Sequence, residues 1–403
     1  MKVNPIINLS ERARNVRKSG IFEIDYLTQS IEARKQPVIR LHIGNMWQKT
    51  DDQIIAKAHE ALLAGRTGYE AIGSCIPEFA DALVDYWKRK YSVSIEQDWI
   101  IAGPTMGLLN QTIDALLQRG RMARIVIPAW DPYFSQVSET LASQKYIPME
   151  YSKESWRIPE FSGKGTDLFI VNDPNNPTSS VLDEKSRQTI ISAVSETKAP
   201  IIADFAYDHL YWDCDFKPLL QYDEIVDRTI VVGSFSKSHR MAGWRMGYLI
   251  SSNKHLVETL RRKVGKDWCC TPPFIQYAAA YGLSREFEPR IDAWRDTIKR
   301  TSRKTTEVLR SFGVECTKPE GTIYVFANVG CDSVQFAKRL IEDYGIATLP
   351  GRFLGENARN WIRLTTVSVP EEKLYPALET IGRVYQSIPR LKSQVTSKAL
   401  HAT

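Results

Sequence analysis

Short apolar runs alternate with helical patterns through the middle of the chain, and this alternation is its strongest structural signal. Five runs are bounded by polar or turn residues, as strands buried on both faces of a sheet are; they cover residues 99–103, 125–128, 168–171, 201–203 and 229–232. Apolar residues recur at helical spacing between several runs, for example over residues 183–197 and 255–266. This order predicts an α/β domain with a mostly parallel sheet.

The pattern changes near residue 283, after which longer and more charged helical segments dominate. The later elements predicted are a helix over residues 289–312, strands over 322–326 and 361–364, and helices from Ser333 and from Pro370. We therefore expect a large domain over residues 52–285 and a smaller α+β domain that combines residues 1–51 with residues 286–403. The polar end of the chain, from about Lys392, is expected to be frayed.

The composition is that of an ordinary globular protein and excludes several classes. Of 403 residues, 43% are hydrophobic and 25% are charged, and the formal net charge is only +6. No long basic block is present, so we expect neither nucleic acid nor a membrane surface as a partner. The N-terminus is too polar for a signal peptide and no apolar run reaches membrane-spanning length, which predicts a soluble cytoplasmic protein. The six cysteines form no C-x-x-C pair, so no metal site is expected.

Residues suited to chemistry follow all five predicted strands. Ligands of open parallel sheets bind beyond the carboxyl ends of the strands, which meet at one edge. The residues found there, in chain order, are Thr105, Trp130, Asn176, Asp204, Tyr207, Ser234, Ser236 and Lys237. A hydroxyl, an aromatic ring, an amide, a carboxylate, a phenol and a lysine at one edge predict a binding or catalytic site.

The order and spacing of these residues resemble the class I/II aminotransferases, pyridoxal-phosphate enzymes of fold type I. The resemblance rests on the lysine motif at residues 234–247, on Asn-Asn-Pro-Thr at 175–178, on Asp-Phe-Ala-Tyr at 204–207, and on Arg363. Two further segments, residues 69–78 and 319–321, match as well, and the similarity covers roughly residues 20–388. It implies a mostly parallel seven-stranded sheet in the large domain, a smaller α+β domain, a homodimer and pyridoxal 5′-phosphate as cofactor.

The resemblance assigns catalytic roles to three of these residues. Lys237 would form an imine with the cofactor aldehyde, and its amine, once freed by substrate, would move the Cα proton. Asp204 would keep the pyridine nitrogen protonated, so that the ring can accept electrons. Tyr207 would hydrogen-bond the cofactor's O3′, together with Asn176. Each residue alone has an ordinary explanation, such as a solvated lysine or a helix N-cap aspartate, and only the set points to catalysis.

The remaining predicted contacts concern the phosphate, the ring and the substrate. The phosphate would be held by Thr105, Ser234, Ser236 and Arg245, with Tyr69 arriving from a second subunit, and Trp130 would stack on the ring. The substrate would be bound by Arg363 at its α-carboxylate, by Asn176, by the segment that begins at Gly44, and by Glu70.

The sequence departs from the family pattern at three places. Pro104 stands where many relatives have a residue with a backbone N–H, which makes the hydroxyl of Thr105 more important. The segment Gly44-Asn-Met-Trp47 lacks the usual proline, and Ser179 replaces the glycine that normally follows Asn-Pro-Thr. We interpret the last two changes as bearing on substrate preference rather than on cofactor binding.

Transamination of an L-α-amino acid is the leading functional hypothesis. The alternative is a cyclase or eliminase of the capreomycidine- or enduracididine-forming type, acting on an arginine-derived amino acid, because Glu70 and Asp131 could face a cationic side chain. The opposing interpretation is that both carboxylates are solvated surface acids. A regulator with an aminotransferase-like domain is not expected, because the resemblance begins by about residue 20 and leaves no space for a helix-turn-helix. A Rossmann dehydrogenase is disfavoured because no predicted strand precedes G-x-G-x-x-G.

Overall fold

The central feature of the protein, seen in a computed structural model that describes residues 7–388, is a mixed sheet of seven strands. From one edge to the other the strands are Ile100–Gly103, Gly247–Ile250, Thr229–Ser234, Ile201–Phe205, Leu168–Asn172, Met122–Ile127 and Ser143–Pro148. Gly247–Ile250 is antiparallel to both of its neighbours, and the other six strands share one direction. The prediction of a mostly parallel seven-stranded sheet is confirmed.

Two of the seven strands have no counterpart among the predicted runs. Ser143–Pro148 is an edge strand whose side chains are mostly exposed, so it carries no apolar run. Gly247–Ile250 is buried but begins at the last residue of the lysine motif, whose residues were interpreted only for their chemistry. Edge strands commonly keep polar side chains on their open side, so an apolar pattern underestimates sheet width.

The part of the chain that forms this sheet, residues 52–282, also forms seven α-helices: Asp52–Leu63, Pro77–Tyr91, Thr105–Leu116, Pro132–Glu139, Glu184–Ser195, Lys254–Asp267 and Pro273–Gly282. Successive strand residues fall in different hydrophobic clusters, because side chains of a strand point alternately to its two faces. Ile202 belongs to one cluster and Ala203 to the other. Both faces of the sheet are therefore covered, and its chemistry is confined to the strand ends.

A second, antiparallel sheet follows later in the chain. Its four strands, in spatial order, are Glu315–Cys316, Tyr324–Asn328, Trp361–Thr365 and Leu349–Pro350. The helices of this part are Glu288–Ser311, Ser333–Tyr344 and Glu371–Gln386, and those of the N-terminal part are Glu11–Arg14 and Gly20–Glu32. Two short pairings complete the strands: Ile39–Arg40 with Ile346–Ala347, and Glu150–Ser152 with Ser155–Arg157. The predicted frayed tail lies outside the described residues.

The segment after Ile39–Arg40 runs beside the antiparallel sheet and brings Gly44 toward the large sheet. The backbone N–H of Leu41 donates to the carbonyl of Ala347 at 2.8 Å, and the backbone N–H of Thr365 donates to the carbonyl of Leu41 at 2.9 Å.

The division of the chain into two domains at 51/52 and 285/286 stays a prediction. Within residues 7–388 no helix is both long enough and apolar enough to cross a bilayer.

Candidate active site

A cavity of about 480 Å³ lies at the carboxyl ends of the parallel strands. Eleven of the residues predicted from the sequence line it: Gly44, Thr105, Trp130, Asn176, Asp204, Tyr207, Ser234, Ser236, Lys237, Arg245 and Arg363. The two that do not line it are Tyr69 and Glu70. The strand-end argument therefore located the cavity correctly, whereas the roles of the individual residues stay predictions.

Asp204 is the penultimate residue of the buried strand Ile201–Phe205 and lines the cavity. Its Oδ1 accepts from the backbone N–H of Ala206 at 2.9 Å, and its Oδ2 accepts from the hydroxyl of Tyr133. Burial raises the pKa of Asp204 to about 6, although both hydrogen bonds act in the opposite direction. No cation among residues 7–388 is recorded in an ion pair with this carboxylate. Asp204 is therefore a buried acid that would be stabilised by a cationic ligand atom.

Lys237 lies beyond the end of the neighbouring strand, Thr229–Ser234. Its Nζ donates to the backbone carbonyl of Gly44, which joins the two parts of the chain across the cavity. Desolvation lowers the pKa of the amine, and the nearby guanidinium groups of Arg363 and Arg245 lower it further. A lowered pKa makes the neutral amine more accessible, as nucleophilic or basic catalysis by a lysine requires.

Tyr324 is a cavity residue that the sequence analysis treated only as part of a strand. The hydroxyl of Tyr207 donates to that of Tyr324 at 3.1 Å, and the Arg363 guanidinium lies 4.1 Å from the Tyr324 ring centroid. Burial would raise the pKa of Tyr324, but the charges of Arg363 and Lys237 outweigh it and hold the pKa below its usual 10. The two phenols and two cations therefore form one electrostatic unit.

Arg363 occupies the centre of the strand Trp361–Thr365 and is 2% exposed. Its Nη1 donates to Asn176 Oδ1 at 2.9 Å and its Nη2 donates to the carbonyl of His42 at 2.5 Å. Its Nε is buried and has no hydrogen-bond partner among residues 7–388. A buried guanidinium with a free donor is poised to bind an anion.

Three further hydroxyl groups line the cavity, on Thr105, Ser234 and Ser236. Thr105 is the first residue of the helix Thr105–Leu116. Thr105 Oγ1 donates to the carbonyl of Gly233 at 3.1 Å, and a Cβ at Gly247 would lie 2.2 Å from the same Oγ1. The backbone N–H of Ser236 donates to Ser234 Oγ at 3.2 Å. Hydroxyls, the start of a helix and the exposed Arg245 together suit a phosphate group.

The remaining predicted residues lie away from the cavity of their own chain. Tyr69 is 82% exposed, and the Glu70 carboxylate lies 3.9 Å from Arg66. Asp131 is 1% exposed and accepts from the Ser19 hydroxyl, so its interpretation as a solvated surface acid is wrong. It does not line the cavity either.

Ser179 has a positive φ of 58°, in the backbone region that favours glycine. Its hydroxyl donates to the carbonyl of Tyr324 at 2.7 Å and lies 2.8 Å from the hydroxyl of Thr322. The side chain therefore anchors the strand that carries Tyr324, and it does not line the cavity.

Comparison with known proteins decides the family. Residues 36–381 match the family described as aminotransferase class I and II. The chain belongs to this family. The class I/II aminotransferases are pyridoxal-phosphate-dependent enzymes, and the predictions of an aminotransferase-family enzyme with this cofactor are confirmed.

Individual relatives of this class I/II aminotransferase extend over nearly its whole length. A (5-formylfuran-3-yl)methyl phosphate transaminase of Methanocaldococcus jannaschii is 28% identical over 359 residues, covering 89% of this chain and 94% of that protein. An aspartate aminotransferase of Pyrococcus horikoshii is 27% identical, covering 94% and 97%. A mutant aspartate aminotransferase of Thermus thermophilus superimposes with a TM-score of 0.86 at 23% identity, covering 94% and 100%, which confirms fold type I.

The cavity of this aminotransferase fits pyridoxal phosphate. Asp204 offers a buried carboxylate that suits a protonated ring nitrogen, Trp130 offers an aromatic side chain, and Lys237 offers an amine that donates to the Gly44 carbonyl. The cavity residues that could donate to a phosphate from their side chains are Thr105, Ser234, Ser236 and Arg245. Tyr133 and Tyr324 complete the site, and no motif spacing indicated either of them.

Proposed function

We propose that this enzyme transfers the amino group of an L-α-amino acid to a keto acid. The observation that carries the proposal is one cavity in which the Lys237 amine, the Asp204 carboxylate and the Arg363 guanidinium all face the same space. When bound there, pyridoxal phosphate supplies a ring that stabilises negative charge at the substrate's Cα.

The chain's own residues would divide the work as follows. Arg363 Nε and Nη groups bind the substrate carboxylate, and Asn176, which accepts from Nη1 at 2.9 Å, fixes the plane of the guanidinium. Lys237 Nζ would remove the substrate's Cα proton and return it at the cofactor carbon. Its lowered pKa allows the amine to be neutral, as this role requires. Asp204 holds a proton on the ring nitrogen, and the Tyr207 hydroxyl and Asn176 hold the ring oxygen.

We further propose a homodimer in which Tyr69 reaches the phosphate of the partner's cofactor. The supporting observation is that large apolar side chains close to Tyr69 in the chain are exposed: Leu63 is 77% exposed and Ile72 is 62% exposed. Exposed apolar side chains of this kind are typical of a covered surface. The predicted contact of Glu70 with substrate belongs to the same proposal, and its carboxylate already has Arg66 nearby.

The two-domain division of residues 52–285 against residues 1–51 and 286–403 is likewise part of this proposal. It would assign Lys237 and Asp204 to the large domain, and Gly44 and Arg363 to the small one. Substrate binding at Arg363 would then draw the two parts together around the reacting atoms.

The proposal is tested by following cofactor and products together. The purified protein with pyridoxal phosphate should show a visible absorption band that converts to the pyridoxamine form on addition of an amino acid, with release of the matching keto acid. The Lys237→Ala variant should lose this conversion, whereas Lys254→Ala, which replaces a side chain that is 71% exposed, should keep it.

The amino acceptor distinguishes the two reactions considered for this site. Sustained product formation that requires a keto acid supports transamination. Product that accumulates without an acceptor would contradict transamination and indicate elimination or cyclisation.

A further inference from the structure

We propose that the substrate of this enzyme carries an uncharged, largely apolar side chain. This inference rests on the proposed function, which already uses four of the charged residues that line the cavity. The charged lining residues are Arg40, Asp204, Lys237, Arg245 and Arg363. Only Arg40 is left to meet the side chain of the substrate.

The charge of Arg40 is already neutralised within the chain. Its Nε donates to Glu32 Oε1 at 2.9 Å, its Nη2 donates to the other oxygen of Glu32, and its Nη1 donates to Asp25 Oδ1 at 3.0 Å. Both acids lie on the helix Gly20–Glu32. A two-pronged contact with one carboxylate and a further contact with a second leave Arg40 without free charge for an acidic substrate.

The N-terminus of the helix Gly20–Glu32 is the second positive feature near Arg40 in the chain, and its charge is also neutralised. The buried carboxylate of Asp131 accepts from the hydroxyl of Ser19, and the backbone N–H groups of Gly20 and Ile21 act to lower the pKa of this carboxyl. These N–H groups would otherwise attract an anion to the helix end. A distal carboxylate on the substrate would therefore find neither a free cation nor a free helix terminus.

A cationic side chain also lacks a partner among the described residues of the cavity. Asp204 is the one acid that lines it, and the proposed function assigns that carboxylate to the ring nitrogen. Asp131 lies outside the cavity, and Glu70, which would reach the substrate only from a second subunit, already has Arg66 3.9 Å from its carboxylate. Enclosing an unpaired charge is unfavourable, so a cationic side chain is disfavoured as well.

Apolar side chains make up much of the remaining wall. They include Ile21, Phe22, Ile43 and Met106. Phe22 is 58% exposed and Met106 is 41% exposed, so both present apolar surface that a ligand could cover. An aliphatic or aromatic substrate side chain would gain favourable contacts along this wall.

Unreactive carboxylic acids test the inference separately from catalysis. We expect the pyridoxal-phosphate-loaded protein to bind 3-phenylpropanoate and 4-methylpentanoate at least about tenfold more tightly than succinate or 4-guanidinobutanoate, as measured by isothermal titration calorimetry, which corresponds to about 1.4 kcal/mol. Tighter binding of succinate or of the guanidino acid would overturn the inference. Keto acid formation is measured in parallel, because its absence would defeat the proposed function and leave the order of affinities as it is.

The pairing of Arg40 supplies a second and sharper test. The double variant Asp25→Asn/Glu32→Gln should free Arg40 and strengthen succinate binding by about tenfold, while 3-phenylpropanoate binding changes less than about twofold. Adding Arg40→Gln should abolish the gain. Glu23→Gln is the matched control, since Glu23 is an acid on the same helix whose recorded ion pair is with Lys338. Unchanged succinate affinity in a double variant that still binds 3-phenylpropanoate would contradict the role assigned to Arg40.

Discussion

At the scale of single residues, the site depends on two tyrosines that sequence motifs did not indicate. Tyr133 donates to Asp204, from which it is separated by 71 residues, and Tyr324 accepts from Tyr207, from which it is separated by 117. Both tyrosines tune a predicted residue, one by supporting a carboxylate and the other by joining a phenol to two cations. Their contribution is electrostatic, so it is testable through pH.

Replacing Tyr133 should alter the pH range over which the cofactor binds. Burial raises the pKa of Asp204 to about 6 even though the Tyr133 hydroxyl lowers it, so Tyr133→Phe should raise that pKa further. Pyridoxal-phosphate affinity should fall as Asp204 becomes protonated, and the midpoint of this fall should move to higher pH in the variant. Equilibrium titration between pH 5 and 8 measures the shift, and Tyr146→Phe, on the exposed edge strand, is the control. Identical midpoints would contradict the assignment.

Replacing Tyr324 should separate its hydroxyl from its ring. Tyr324→Phe keeps an aromatic face for Arg363 but leaves the buried Tyr207 hydroxyl without its acceptor, which should cost about 1–2 kcal/mol of unfolding free energy. We also expect a basic limb of the kcat profile to move, because Tyr324 and Lys237 share one electrostatic environment. Denaturant unfolding and pH profiles, compared with Tyr344→Phe on an exposed surface, measure both effects. A variant with an unaltered pH profile would reduce Tyr324 to a packing role.

The contrast between predicted and unpredicted residues has a physical origin. Lys237, Asp204 and Asn176 were found because parallel strands end at a common edge, which is a property of chain order. Tyr133 and Tyr324 reach the same space from a helix and from the second sheet, and their direction depends on how these elements pack. Local spacing carries no record of such packing, so it could not reveal them.

At the scale of elements, a buried polar cluster ties the large sheet to the helix Pro77–Tyr91. Asp208 Oδ2 accepts from the hydroxyls of Tyr86 at 3.4 Å, Tyr91 at 3.4 Å and Tyr248 at 3.3 Å. The stacked ring of His209 adds to it, with its centroid 4.8 Å from that of Tyr86. The cluster fixes the turn that follows Tyr207, so it supports the site from behind.

The Asp208 cluster should make stability depend on pH. Burial raises the pKa of Asp208 from 3.8 to about 7. The folded protein therefore favours the protonated acid, and this contribution to stability is fully present below pH 3.8 and is lost as the pH rises through about 7. Asp208→Asn should remove that loss, so the melting temperature of the variant relative to wild type should increase from pH 5 to pH 8. Asp85→Asn, on the exposed side of the helix Pro77–Tyr91, should show no such trend.

Strands were predicted from the sequence where burial gave them a continuous apolar run. Leu168–Asn172 and Ile201–Phe205 are buried at every residue and were predicted from continuous apolar runs. Ser143–Pro148 was missed because its neighbour on one side is solvent, so its side chains needed no apolar pattern. Apolar periodicity reports burial, and it reports strand pairing only where the two coincide.

At the scale of the whole molecule, the position of Tyr69 gives a direct test of subunit exchange. If Tyr69 completes the partner's site, Lys237→Ala and Tyr69→Ala chains should each be impaired alone, and their mixed dimers should contain one intact site. Co-purified mixtures should then regain up to about a quarter of wild-type activity, since about half of the dimers are mixed. Sedimentation should show dimers under the same conditions. No recovery in mixtures shown to exchange subunits would contradict the proposed homodimer contact.

The backbone at Gly44 constrains how such an enzyme can diversify. A Cβ at this position would lie 2.3 Å from the Tyr324 hydroxyl and 3.0 Å from Lys237 Nζ, and the Gly44 carbonyl already accepts from that amine. Its flanking residues, Ile43 and Asn45, both line the cavity but have no such restriction. A random library over residues 43–45 should therefore yield active clones with many side chains at the two outer positions and glycine alone at the centre. New substrate ranges could therefore evolve through changes at residues 43 and 45, while Gly44 itself is kept.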